Sequence, residues 1–271
     1  MMTHFYVTLP CDASLDIHPN NTSSKFITEL PNDIDLEGEW EVALSEIILP
    51  GIWNNIMSKD YWFEVNHVRY VLSDGYYENI YDVLKVMADK INKTGRCCRN
   101  WPKAVAVWKP DRIALGPHEF NIVMYVAGYN QVLVEMVGHN RISFSPSLAA
   151  MLRLSRLEYT GPTLIGSDGP ARLPQPTIAY VYLDIIEPIT VGDTKTQLLR
   201  MVFLEKMPKY AEDDLRVTYT SPLYLPLKTK HFRSIEVNIM TDADKLTPFK
   251  LGKSLLLLHF RRKSCRISTS L

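Results

Sequence analysis

The chain has 271 residues, equal numbers of acidic and basic side chains, and 46% hydrophobic residues. This composition is that of a globular protein of one or two domains and argues against a disordered chain. A formal net charge of zero gives no overall field to attract nucleic acid. No apolar run reaches the ~20 residues that a membrane-spanning helix needs, and residues 1–10 lack the pattern of a secretory signal.

Short β-strands dominate the first part of the chain. Apolar patterns bounded by Pro, Gly, Asn and Asp predict strands over residues 5–9, 25–30, 40–49, 61–65 and 68–72, with the last two forming a hairpin. Within residues 40–49 the apolar phase shifts at Ile47. The shift predicts either a β-bulge or entry into a fully buried segment.

The middle of the chain carries the two helix signals. Ile80, Leu84, Met87 and Ile91 form one helical stripe, which predicts a helix over residues 78–92. Ser145 followed by proline predicts the start of a short helix that runs to 154. Strands are predicted around these helices, at residues 104–108, 112–115, 121–126 and 131–137. Residues 160–176 contain four prolines and three glycines, and this predicts a linker or a long surface loop.

The last third of the chain returns to strands. They are predicted at residues 178–186, 198–203, 215–219, 223–227, 234–239 and 255–260. The final run is apolar at successive positions, so we expect a central strand that is buried on both faces.

About a dozen short strands and two helices favour an antiparallel sandwich over a parallel α/β fold, which needs a helix between most strands. We therefore predict a mainly β protein, an antiparallel single jelly-roll sandwich with a mixed α/β insertion. Residues 1–72 and 173–264 would supply the jelly-roll strands, residues 73–172 the insertion, and residues 265–271 a basic and polar tail.

Motifs of catalysis are missing from the sequence. It has no phosphate-binding glycine loop, no zinc-binding HExxH and no GxSxG nucleophile motif. The cysteines at 11, 97, 98 and 265 lack metal-ligand spacing, which predicts reduced thiols in an intracellular product. A pair of Cys97 with His118 or His139 stays open, whereas Asp242 and Asp244 fit a hairpin turn better than a cation site. We expect no catalytic residue, no metal and no cofactor.

Several stretches, in order along nearly the whole chain, carry a resemblance to a known family. They are residues 5–10 (FYVTLP), 40–44 (WEVAL), 74–77 (DGYY), 180–188 (YVYLDIIEP), 191–193 (VGD), 235–239 (IEVNI) and 258–261 (LHFR). Together they resemble the minor capsid (penton) proteins of Maverick/Polinton elements and the related adintoviruses. The turn at Asp242 lacks the glycine that the family usually has between its last two strands.

The resemblance implies a structural protein of the virion capsid. Such a subunit forms homopentamers at the fivefold vertices of an icosahedral shell, beside a double jelly-roll major capsid protein, and is made inside the host cell with assembly expected in the nucleus. A ring of this kind uses heterologous contacts that are large and apolar. As candidate interface residues we take aromatic side chains and methionines that we expect to be exposed in loops, each of which could instead belong to the core: Trp53, Met57, Tyr61, Trp62, Trp101, Trp108 and Tyr210.

The basic end of the chain is either a solvated end, a localisation signal or a contact with packaged DNA. Residues 251–271 contain five cations and no acid, and the candidates are Arg261, Arg262, Lys263 and Arg266. Two other functions remain open at the level of sequence. A carbohydrate- or receptor-binding β-sandwich needs a groove with aromatic and polar groups together. An enzyme on a β scaffold needs a cluster of perturbed titratable groups in a pocket.

Overall fold

Two compact units make up the structure. The computed structural model describes residues 3–95, 101–108, 120–204, 214–242 and 244–263. Met1–Trp53 and Pro176–Leu271 form the sandwich unit, and Asn54–Gln175 form the middle unit. Each unit has its own cluster of buried apolar side chains.

The secondary structure is mainly β-strand, in agreement with the predicted class. The first strands are β1 (His4–Pro10), β2 (Lys25–Asp35), β3 (Trp40–Leu49) and β4 (Ile52–Trp53). The middle unit contains β5 (Trp62–Val65), β6 (Val68–Val71), α1 (Ile80–Gly95), β7 (Ala104–Trp108), β8 (Ile122–Ala127), a 3₁₀ turn (Gly128–Asn130), β9 (Gln131–Met136), β10 (Arg141–Phe144), α2 (Pro146–Leu152), β11 (Glu158–Thr160) and β12 (Thr163–Gly166). The remaining strands are β13 (Ile178–Leu183), β14 (Ile189–Val191), β15 (Thr194–Thr196), β16 (Leu198–Phe203), β17 (Leu215–Thr218), β18 (Leu225–Pro226), β19 (His231–Met240), β20 (Phe249–Leu251) and β21 (Leu255–Arg262).

The sandwich unit has the strand order of a jelly roll. One sheet runs β1-β21-β3-β17 and the other β16-β13-β19-β2, and all their pairings are antiparallel. Numbered along the chain, these eight strands give the orders 1-8-3-6 and 2-7-4-5. Side chains from both sheets meet in one apolar core that includes Phe26, Leu44, Val181, Val237 and Leu258. The predicted single jelly roll is therefore confirmed.

Strand β21 lies between β1 and β3, as expected for a central strand. The expectation that both of its faces are buried is wrong. Leu256, Leu258 and Phe260 are fully buried, whereas Leu257 and the other alternate residues are half-buried on the outer face of the sheet.

The register of β21 with β3 shifts at Ser45, because Leu257 lies opposite Glu46 and Leu258 opposite Leu44. This bulge accounts for the apolar phase shift at Ile47 and confirms that interpretation.

Strand β2 extends past the predicted end at Pro31. It continues to Asp35, where it pairs with His231 of β19 across a register shift. Proline is compatible with this position because β2 is the edge strand of its sheet and Pro31 falls within the register shift, where it has no paired residue in β19.

The middle unit is a mixed α/β structure. Its sheets run β11-β10-β5-β6 and β12-β9-β8-β7, and β7 and β8 form a parallel pair. The helix α1 buries the predicted stripe of Ile80, Leu84, Met87 and Ile91. The hydroxyl of Ser145 accepts a hydrogen bond from the Leu148 N–H at 3.2 Å, so the predicted N-cap is present.

Two boundaries differ from the sequence-based expectations. The hairpin of β5 and β6 belongs to the middle unit, since β5 pairs with β10 and Phe63 lies in the second core. Residues 160–176 are not simply a loop, because β12 pairs with β9 from Thr163 to Gly166. The glycine at 161 lies where a Cβ would come within 2.6 Å of the carbonyl oxygen of Gly138, so it serves a close backbone approach. The strand predicted at residues 112–115 lies outside the described residues.

Candidate subunit interface

An apolar groove opens along one side of the sandwich unit. It lies between β16, the edge strand of one sheet, and β17, the edge strand of the other. Its volume is about 830 Å³. We call it the edge groove and define it by Arg200, Met201, Phe203, Arg216, Tyr219 and Leu223.

Large apolar side chains of the edge groove face solvent. Phe203 is 60% exposed, Leu223 49% and Met201 46%. In β16 the exposed Met201 and Phe203 alternate with the buried Val202, so both faces of an edge strand are apolar. Clustered exposure of this kind marks an interaction surface, whereas single exposed apolar residues are ordinary.

The charged side chains in the described lining of the groove are basic. The Arg200 guanidinium lies over the Tyr219 ring, 4.3 Å from its centroid. Arg216 donates from Nε to Glu46 at 2.6 Å. Within the described part of the chain, Arg200 has no acidic partner. Burial raises the pKa of the Tyr219 phenol above its ordinary value, although the positive charge of Arg200 acts in the opposite direction. The groove therefore suits an apolar partner surface that carries negative charge.

Sequence reasoning did not identify the edge groove. The run Leu198–Phe203 is apolar at almost every position, a pattern that normally indicates a strand buried on both faces. The order of strands in the sheet decides whether that second face is covered, and no local pattern contains this order. Only the combination of a two-faced apolar strand with an edge position reveals the surface.

The described members of the candidate set chosen from the sequence are not among the lining residues of the edge groove. Trp53 is buried in β4 of the sandwich unit. In the middle unit, Tyr61 and Trp101 are half-buried against the second core, and Trp62 packs under the Arg69 guanidinium, 3.9 Å from its ring centroid. Met57 and Trp108 are the exposed ones, and Trp108 meets Tyr81 edge to face. Tyr210 lies outside the described residues.

The basic candidates at the end of β21 have acidic neighbours in their own chain. Arg261 donates from Nε to Glu41 at 2.5 Å and lies over the Tyr224 ring, 3.3 Å from its centroid. The Lys263 ammonium is 3.4 Å from the Glu39 carboxylate. The Arg262 guanidinium packs near Gly38. The sequence around these cations has no acid, but Glu39 and Glu41, just before and within β3, supply the acidic partners in the fold. Arg266 lies outside the described residues.

A second exposed cluster lies on the outer face of the first sheet, around His259. The His259 ring stacks on Tyr6 at 4.4 Å, and its Nδ1 shares a 2.7 Å hydrogen bond with the Tyr224 hydroxyl. His4 approaches the same ring edge-on at 5.4 Å. Desolvation lowers the pKa of His259, and the neighbouring His4 and Arg261 act in the same direction.

Metal-ligand groups, membrane-spanning helices and free cysteines are three further features to be sought in the described part of the chain. The described residues contain no group of three or more His, Cys, Asp or Glu side chains close enough to hold a metal ion. None of the described helices is long and apolar enough to cross a membrane. Cys11 is a buried free thiol, and the other three cysteines lie outside the described residues.

The fold and the groove together define a class: a single jelly roll with a large unit inserted between its third and fourth strands and an open apolar side. No known family model and no curated protein matches the sequence. Two solved structures resemble it over almost their full length. One is the crystal structure of the mavirus penton protein, with 10% identity, a TM-score of 0.48 and coverage of 96% of this chain and 99% of that one. The other is a chain in the cryo-EM structure of the Sputnik virophage, with 7% identity, a TM-score of 0.49 and coverage of 97% and 99%.

Proposed function

We propose that the protein is a penton, the minor capsid subunit that forms homopentamers at the fivefold vertices of an icosahedral shell. The observation that carries the proposal is the edge groove on the side of a single jelly roll. A jelly roll that leaves Phe203 60% exposed beside other apolar side chains has a surface suited to a lasting partner. The sequence resemblance to Maverick/Polinton and adintovirus pentons supports the same function.

The geometry of a vertex requires a heterologous contact, in which one surface of a subunit meets a different surface of the next. A groove on one side of a sandwich meets this requirement, because the opposite side remains available for the preceding subunit. Permanent contacts of this kind bury roughly 2,000 Å² or more in total. An open apolar side is consistent with that demand.

Other parts of the proposal come from the resemblance alone. The partner beside the pentamer is a double jelly-roll major capsid protein, and the subunits are made inside the host cell and assembled in its nucleus. Contact of packaged DNA with Arg261, Arg262, Lys263 and Arg266 stays a prediction. Since Arg261 and Lys263 have acidic partners, such a contact would have to compete with Glu41 and Glu39.

The test is the assembly state of the purified chain. Five copies of the 31.1 kDa chain give about 155 kDa, which light scattering after size-exclusion chromatography separates from a monomer. Negative-stain images of that species should contain rings with fivefold symmetry. A protein that stays monomeric at every concentration tested, with and without the major capsid protein, would contradict the proposal.

A further inference from the structure

The side of the sandwich unit opposite the edge groove presents a second exposed apolar surface. The groove lies at β16 and β17, and the orders of the two sheets place β2 and β1 at the other edges. The segment that joins β1 to β2, residues 11–24, lies at this second side. Its side chains Leu15 and Ile17 are 46% and 59% exposed.

This loop is held firmly although its tip is apolar and exposed. The Asn21 side chain donates to the Ile27 carbonyl at 2.8 Å and accepts from the Ile27 N–H at 2.9 Å. The Ser14 hydroxyl accepts from the Glu29 N–H at 2.9 Å. These bonds also occupy outward backbone groups of β2, so another strand cannot add there. A contact at this side must therefore use side chains, and the fixed loop loses little entropy when it binds.

The charges of the two surfaces are complementary. The loop contains Asp12 and Asp16 and no lysine or arginine. Asp12 pairs with Lys253, whereas Asp16 stands exposed between Leu15 and Ile17 and makes no ion pair within the described residues. Among the described residues, the lining of the edge groove contains Arg200 and Arg216 and no acidic side chain, and Arg216 is already paired with Glu46. An apolar tip with one carboxylate thus matches an apolar groove with a guanidinium.

We propose that the β1–β2 loop of one copy inserts Leu15 and Ile17 into the edge groove of the next copy, with Asp16 facing Arg200. The proposal rests on the proposed pentamer and identifies its contact. The two surfaces lie at opposite sides of one sandwich, so the contact is heterologous, and its repetition gives a closed ring when successive copies are related by a rotation that closes. A groove-to-groove contact would instead give a twofold dimer.

The first test is charge reversal. Asp16→Arg and Arg200→Asp should each raise the concentration of half-assembly by at least about tenfold, and the double variant should restore assembly toward that of the wild type. The double substitution Leu15→Ser with Ile17→Ser should raise the concentration of half-assembly by a similar factor, because both apolar side chains that would fill the groove are removed. Asp89→Arg and Leu164→Ser, at exposed positions of the middle unit, are the matched controls and should assemble normally.

A cross-link test does not depend on the loss of assembly. Chains with Ile17→Cys mixed with chains with Phe203→Cys and treated with diamide, which accepts the two electrons and two protons of the thiols, should form a disulfide between positions 17 and 203 of different copies. Mass spectrometry of the linked peptides identifies it. A self-link of the Phe203→Cys chain would overturn the proposal in favour of the twofold contact.

The outcomes separate this inference from the proposed function. A wild-type pentamer that survives both charge reversals and gives no 17–203 link refutes the loop–groove contact and leaves the penton proposal intact. A wild-type chain that never forms rings refutes the penton proposal, and the contact falls with it. Circular dichroism of each variant, compared with the wild type, excludes misfolding as the cause of a lost ring.

Discussion

At the scale of single residues, His259 couples the packing of the first sheet to pH. Its Nε2 is buried without a hydrogen-bond partner in the described part of the chain, while Tyr6, His4, Tyr224 and Arg261 surround the ring. A second positive charge at this position would be poorly solvated and would repel Arg261. The fold therefore favours the neutral imidazole.

The lowered pKa of His259 predicts a loss of stability in mild acid. The unfolded chain binds the proton at the ordinary value of 6.5, whereas the folded chain resists protonation. The stabilisation is fully present above that value and is lost as the pH falls through and below it. The free energy of unfolding, measured with denaturant between pH 7.5 and 5, should fall more steeply with decreasing pH for the wild type than for His259→Gln. Equal slopes in the two proteins would contradict the assignment, since the remaining histidines are common to both.

At the scale of elements, β21 offers neighbouring leucines in two environments. Leu258 lies in the core and is fully buried, whereas Leu257 is half-buried on the outer face. Leu258→Ala should lower the free energy of unfolding by about 2–5 kcal/mol, because the large side chain leaves a cavity. Leu257→Ala serves as the matched control and should cost about 1 kcal/mol. Urea unfolding measures both, and equal losses would contradict the inward orientation of Leu258 and the outward orientation of Leu257.

Local sequence patterns predicted the helices and strands better than they predicted which strands pair with one another. The stripe of α1, the cap at Ser145 and the bulge in β3 follow from residues close in sequence, and the structure confirms each. The parallel pairing of β7 with β8 and the edge position of β16 depend on contacts between distant segments. The same limit explains why the exposed surface around Met201 and Phe203 was not predicted from the sequence, since the exposure of an apolar strand depends on its neighbours in the sheet.

The strand β12 illustrates a different limit. A high density of Gly and Pro normally indicates a loop, yet here Gly161 permits a close backbone approach just before a paired strand. The composition therefore correctly indicated a break in regular structure near Gly161, but it did not predict the paired strand that follows.

At the scale of the whole molecule, the sandwich unit depends on two segments separated by the middle unit. β21 is the central partner of β1 and β3, and the middle unit has a core of its own. A chain that stops at Ser254 should therefore lose the sandwich and keep the middle unit folded. Hydrogen exchange should find protected amides in Asn54–Gln175 and rapid exchange in β1–β3 and β13–β19.

The matched control for this truncation stops at Lys263 and retains every described strand. It should protect both units as the full chain does. Protection of β1 and β3 in the shorter variant would contradict the central role of β21.

The place of β21 along the chain also has a consequence for synthesis. A ribosome adds roughly 5–20 residues per second, and domains generally fold as their own residues emerge. The middle unit can form while β1 and β3 still lack the strand that will lie between them, and translation of the intervening unit alone takes on the order of ten seconds. During this delay the two waiting strands expose apolar faces, so the nascent sandwich is the stage at which the protein most needs a chaperone.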